Sequence, residues 1–92
     1  MFAISFDMLI SDLKQNYDEI YNNAYFEISN VLEQYDFYRA QGSVYLTKNN
    51  DLVNLTRAMN ALKDIEWFKN SVRDIRAFKV EDWSDFTAFM KE

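Results

Sequence analysis

Asp7 is the first residue in this chain whose type and position suggest chemistry. It closes the run Phe2-Ala3-Ile4-Ser5-Phe6-Asp7, where bulky and small residues alternate with the period of a strand. A carboxylate at a strand end, beside small side chains, could take a proton or bind a divalent cation such as Mg²⁺. If two copies met about an axis near this strand, two Asp7 groups could share one ion. The plainer alternatives are an ordinary strand-end residue or a turn acid paired with a lysine or arginine.

A second segment, Ser71-Val72-Arg73-Asp74-Ile75-Arg76-Ala77-Phe78-Lys79, carries three cations on a β-forming background. Guanidinium groups clamp phosphates bidentately and stabilise charge that builds on phosphoryl oxygens. In a regular strand Arg73 and Lys79 share one face and Arg76 takes the other. The competing reading is an edge strand kept from aggregating by its charges, with Asp74 paired internally. Gln41-Gly42-Ser43 supplies a hydroxyl and an amide beside the chain's one glycine, and Ser43 could position a phosphate or merely begin a strand. Tyr17, Tyr21 and Tyr25 recur at four-residue steps and could stack bases or pack a helix.

Composition narrows the choice. Neither histidine nor cysteine occurs, so the usual general base, thiolate nucleophiles, disulfides and zinc-thiolate sites are all excluded. A serine-hydrolase triad is excluded with them. The lack of cysteine suits a reducing cytoplasm. No apolar run approaches the ~20 residues of a membrane span, and the N-terminal run lacks the basic region of a signal peptide. The net charge of −5 is uneven. Residues 1–36 hold seven acids against Lys14, residues 37–80 hold eight bases against four acids, and residues 81–92 return to −3. Overall acidity argues against indiscriminate nucleic-acid binding, while the basic middle could form a local phosphate-binding surface.

The elements that must position these groups follow from periodicity. A strand over 2–8 precedes a helix capped by Asn16 and Glu19, whose stripe runs through Tyr17, Ile20, Tyr21, Ala24, Ile28, Val31, Leu32 and Tyr35. Residues 37–40 and 43–47 read as a hairpin about Gln41-Gly42. Asn50 caps a second helix bearing Leu52, Leu55, Met59, Leu62 and Ile65, and residues 66–71 add an irregular turn. A strand over 72–80 has apolar residues on both faces, and a short tail around Trp83 follows, with Ser84 as its cap. The order βαββαβ predicts a single α/β domain over 1–92, a ferredoxin-like α+β sandwich with both helices on one sheet face. Eight Phe, six Tyr and two Trp exceed what one small core can hide. The uncovered face therefore predicts a homodimer.

Ala3-Ile4-Ser5-Phe6-Asp7, Gln41-Gly42-Ser43-Val44-Tyr45 and the run from Ala58 through Thr87 resemble virulence-associated protein D (VapD). The most specific pieces are Glu66-Trp67-Phe68, Ser71-Val72-Arg73-Asp74-Ile75-Arg76-Ala77-Phe78 and Trp83-Ser84-Asp85-Phe86-Thr87, collinear over essentially the whole chain. The resemblance implies a ferredoxin-like homodimer with endoribonuclease activity, often the toxin of a bacterial toxin–antitoxin pair with an antitoxin protein as partner. It also implies distant kinship to small CRISPR-associated ferredoxin-like nucleases, which keep an acid at the end of the first strand. On this basis Asp7 takes a catalytic role and Ser43 a lesser one, while RNA binding by Arg73, Arg76 and Lys79 is read from their charge. The expected substrate is single-stranded RNA, since exposed aromatics stack unpaired bases. The rival expectation is a dimeric module that binds RNA or protein without cutting.

Overall fold

The computed structural model describes residues 1–17 and 22–92. Its elements are β1 (Phe2–Met8), α1 (Ile10–Asn16), α2 (Asn22–Glu33), β2 (Tyr38–Gln41), β3 (Val44–Thr47), α3 (Leu52–Lys63), α4 (Glu66–Ser71), β4 (Val72–Lys79) and α5 (Thr87–Met90). The strands form one antiparallel sheet in the order β2-β3-β1-β4. Each of the two βαβ passages thus leaves room for another strand between its own two, which is the ferredoxin-like sandwich that the element order predicts.

β1 occupies the middle because its two faces differ. Ile4, Phe6 and Met8 are buried in the core with Phe2 packed beside them, whereas Ala3, Ser5 and Asp7 point the other way. Phe6 stacks on Tyr45 at 6.1 Å between centroids and meets Phe68 edge-on at 5.5 Å. Ala24, Ile28 and Leu32 of α2 and Ala58 and Leu62 of α3 close the core from the helical side. Burying one such large side chain contributes about 1.5–3 kcal/mol. Polar ties fix the helices to their neighbours. The Ser29 and Tyr45 hydroxyls share a 2.6 Å hydrogen bond, and Asn54 Nδ2 donates to the Tyr35 carbonyl at 2.8 Å. Tyr17 is buried against Trp67 at 4.8 Å, and Tyr25 packs on the core, so these tyrosines serve packing.

Several boundaries differ from expectation. Asn16 ends a helix instead of capping one, and its side chain donates to the Asp12 carbonyl at 2.8 Å and the Asn70 carbonyl at 3.3 Å. Asp18, Glu19, Ile20 and Tyr21, on which the rest of that expected helix start rested, lie outside the described residues. Asp51, not Asn50, caps α3 by accepting from the Val53 amide, and Asn49 in turn accepts from the Asp51 amide. Residues 66–71 form a true helix turn with Phe68 and Ser71 buried. The terminal helix starts at Thr87, where the Asp85 carboxylate accepts the amide hydrogen bond, while Ser84 bonds Asp82 instead. β4 is not covered on both faces, for only Val72 and Ile75 are half-buried and the rest of the strand is exposed.

The end of α2 stores strain. Asp36 adopts φ +65°, its amide donates to Glu33, and the Phe37 amide donates to Leu32. This is a Schellman ending, with buried Phe37 packing where the motif places its hydrophobic contact to Leu32. A non-glycine residue pays for the left-handed conformation. Asp36→Gly is therefore expected to keep or raise the urea midpoint, and Asp36→Val to lower stability by about 1–2 kcal/mol. Equal midpoints for the two variants would show that the turn is not constrained as described.

Candidate active site

The packing of Phe6 sets the direction of Asp7. With Phe6 held among Tyr45 and Phe68 beneath the helices, the next side chain must leave on the opposite sheet face, and Asp7 is exposed there. It makes no hydrogen bond or ion pair among the described residues. The alternative of a turn acid neutralised by a neighbouring base is thus not what the structure shows.

Cross-strand register decides what stands beside it. Asp7 lies directly opposite Asp74 of β4, and Ser5 lies opposite Arg76. Two carboxylates facing one another across a sheet repel, which destabilises the pair unless a cation intervenes. Arg76 supplies that cation, its Nε lying 3.1 Å from Asp74 Oδ2 and 3.4 Å from Oδ1, with Nη2 also 3.4 Å from Oδ1. The hydrogen bond to Asp74 and then its charge raise the guanidinium pKa further. Asp74 is therefore engaged by Arg76, and Asp7 remains open to solvent.

Arg73 falls in a break of the ladder. Asp7 pairs with Asp74 and Met8 with Val72, so Arg73 is the extra residue of a β-bulge. Strict alternation does not apply at that position, so it no longer assigns a face to Arg73. Lys79 lies opposite Phe2, at the far end of β1. It does not belong to the cluster around Asp7.

Ser43 does. The Phe6 amide donates to the Ser43 carbonyl at 3.2 Å, extending the β1–β3 ladder by one bond to the residue before Asp7. Gly42, at φ +48°, makes the hairpin turn that delivers Ser43 there, and Arg39 Nε braces it by donating to the Gly42 carbonyl at 2.7 Å. The structure thus gathers Asp7, Ser43, Asp74, Arg76 and Arg73 at one sheet end. Asp74 escaped sequence reasoning as a neighbour of Asp7, because only the register and the bulge reveal it.

No group of three or more acid, histidine or cysteine side chains that could cage a metal occurs among the described residues. Mg²⁺ rarely asks for one, since it keeps several waters and takes one or two carboxylates. An exposed, unpaired Asp7 fits such a water-rich site.

The profile of the CRISPR associated protein Cas2 family matches residues 1–88. The chain is 58% identical over 84 residues to endoribonuclease VapD 1 of Riemerella anatipestifer, covering 91% of this chain and 94% of that one. It is 57% identical over 91 residues to endoribonuclease VapD of Dichelobacter nodosus, covering 99% and 98%. It is 53% identical over 93 residues to endoribonuclease VapD of Helicobacter pylori, covering 99% of each. The chain belongs to the VapD family of endoribonucleases.

Proposed function

We propose that this protein cuts single-stranded RNA at Asp7, as the toxin of a toxin–antitoxin pair acting in the cytoplasm. The observation that carries the reading is the exposed Asp7 carboxylate, which has no side-chain partner among the described residues, in a member of an endoribonuclease family. No helix among the described residues is long and apolar enough to cross a membrane. Asp7 takes the proton of the attacking hydroxyl, or it holds Mg²⁺ together with Asp7 of a second copy. A bound Mg²⁺ would stabilise charge on the phosphoryl oxygens. The Ser43 hydroxyl donates to a phosphate oxygen, and Arg73 and Arg76 attract the backbone, since phosphate contacts supply most nucleic-acid affinity.

The second copy is suggested by the uncovered sheet face. Phe78 of β4 stands opposite Ala3 on it and is 44% exposed. An apolar surface of this kind marks an interaction site. A homodimer joined through β1 and β4 would bring two Asp7 groups toward each other, and it supplies a surface that an antitoxin protein could contact.

Asp7→Asn should abolish RNA cleavage while circular dichroism and urea midpoint stay near wild type, because the substitution keeps size and removes basicity. A folded variant that still cuts at the wild-type rate would remove Asp7 from catalysis. Loss of wild-type activity in chelator, with 5′-phosphate ends, would indicate the metal route. Activity in chelator with 2′,3′-cyclic phosphate ends would indicate attack by the neighbouring 2′-hydroxyl.

Arg73→Ala and Arg76→Ala separate binding from folding. The Arg76–Asp74 pair is solvent-exposed, so its loss, with the Asp7–Asp74 repulsion it uncovers, should lower stability by no more than about 1 kcal/mol. If the arginines hold phosphate, each variant should reduce the slope of log affinity against log salt by about 0.7 for a single strand. Wild-type slopes in both would mean that β4 does not touch RNA.

Analytical ultracentrifugation should show a dimer at micromolar concentration, and Phe78→Glu should shift it toward monomer. A wild-type monomer at high micromolar concentration would refute the assembly.

A further inference from the structure

A cavity of about 780 Å³ lies away from Asp7. It lies at the other end of the sheet, among Met1, Tyr38, Arg39, Leu46, Lys48 and Trp83, with Asp36 and Asn49 on its rim. That end is closed by the reciprocal bonds of Met1 and Val80, the Val80 amide donating to the Met1 carbonyl at 2.8 Å and the Met1 amine to the Val80 carbonyl at 3.2 Å. From this clasp the chain turns back to bring Trp83 to the same space as Tyr38 and Leu46. A volume of this size falls within the ordinary range for small-ligand sites.

Its chemistry is specific. Tyr38 is 59% exposed and Trp83 40%, so both rings border the cavity with surface that the fold does not use. Lys48 has no ion-pair partner among the described residues. Arg39 bonds a carbonyl, not an acid, and its charge is likewise unneutralised. Against these two cations the rim sets the single carboxylate of Asp36. Aromatic faces beside unpaired cations match the repeating unit of a single-stranded nucleic acid, a flat base joined to a phosphate. Asp36 and Asn49 add acceptors of the kind that bond exocyclic amino groups of bases.

The hairpin leads from this cavity to the reactive end. β2 and β3 begin and end at Tyr38 and Thr47 beside the cavity, and their turn delivers Ser43 to the residue before Asp7. Along β1, Asp7 lies six residue steps from Met1, or about 20 Å at the rise of a strand. That distance corresponds to about six nucleotides at a stacked rise of ~3.4 Å, and to fewer when the strand is drawn out.

We propose that the cavity between Tyr38 and Trp83 is a base-binding subsite for single-stranded RNA, with Lys48 on the adjoining phosphate, several nucleotides from the bond cut at Asp7. The placement rests on the endoribonuclease reading above, and it makes this site a determinant of substrate length and base preference instead of a participant in bond cleavage.

Kinetics on mixed-sequence oligoribonucleotides of three and twelve nucleotides test it, alongside equilibrium binding of the 12-mer in the Asp7→Asn background and sedimentation of each variant. Wild type should show a KM about tenfold lower for the 12-mer than for the 3-mer. Tyr38→Ala and Lys48→Ala should each raise the 12-mer KM several-fold to tenfold, within what loss of one stacked base gives. They should leave kcat and the 3-mer KM unchanged, and Tyr38→Phe should restore the 12-mer KM. An unchanged 12-mer KM in Tyr38→Ala, or a fall in kcat on both lengths, would overturn the subsite. A change in sedimentation with Tyr38→Ala would overturn it too, assigning the cavity to contacts between copies. Should wild type cut neither oligonucleotide, the endoribonuclease reading fails. Binding then decides the subsite alone, supported if Tyr38→Ala weakens 12-mer affinity about tenfold and refuted if it does not.

Discussion

Everything in this molecule hangs on the alternation within β1. Its even-numbered side chains are the floor on which the helices pack, and its odd-numbered ones are the centre of the opposite face. The strand cannot slip by one residue without putting Asp7 under the helices and Phe6 in water. A buried, unpaired carboxylate and an exposed phenyl ring would each cost several kcal/mol or a few kcal/mol respectively, on the order of the whole stability of a small domain. The position of Asp7 is thus secured by hydrophobic packing on the other side of the same strand, not by any bond of its side chain.

The same logic explains which parts of the structure could be read in advance. Strand β1, the hairpin about Gly42, the stripes of α2 and α3 and the outward direction of Asp7 all follow from periods of two and 3.6, and these were legible. Helix α1 was not, because Leu13 is its only buried residue and no apolar stripe betrays it. The cap of α3 was misplaced by one residue because Asn49, Asn50 and Asp51 are chemically close. Only the geometry reveals that Asn49 holds the Asp51 amide and so passes the cap to Asp51.

The candidate site divides along similar lines. Asp7 and Ser43 are near each other in space because the hairpin register extends to the Phe6 amide, and the resemblance to VapD pointed at both. What lies across from Asp7 could not be inferred. The bulge at Arg73 shifts the one pairing of β4 that precedes it, Val72 with Met8, so alternation counted through 71–73 does not assign a face to Arg73. Lys79, grouped with Arg73 by simple alternation, belongs to the opposite end of the sheet. The aromatic cavity was hidden for another reason, since Tyr38 and Trp83 are 45 positions apart and meet only because the tail turns back after the Met1–Val80 clasp.

One consequence of the strand order concerns motion. β1 is hydrogen-bonded on both flanks, to β3 and β4, whereas β2 and β4 each have one free edge. Backbone amides of β1 can exchange with solvent only when a neighbouring strand detaches or the sheet opens as a whole, so they should be among the last to take up deuterium. The hairpin tip and the outer edge of β2 have no such protection. The molecule therefore combines a fixed carboxylate with a pliant rim, and an extended chain lying along that rim could shift its backbone by small local openings while the acid stays still.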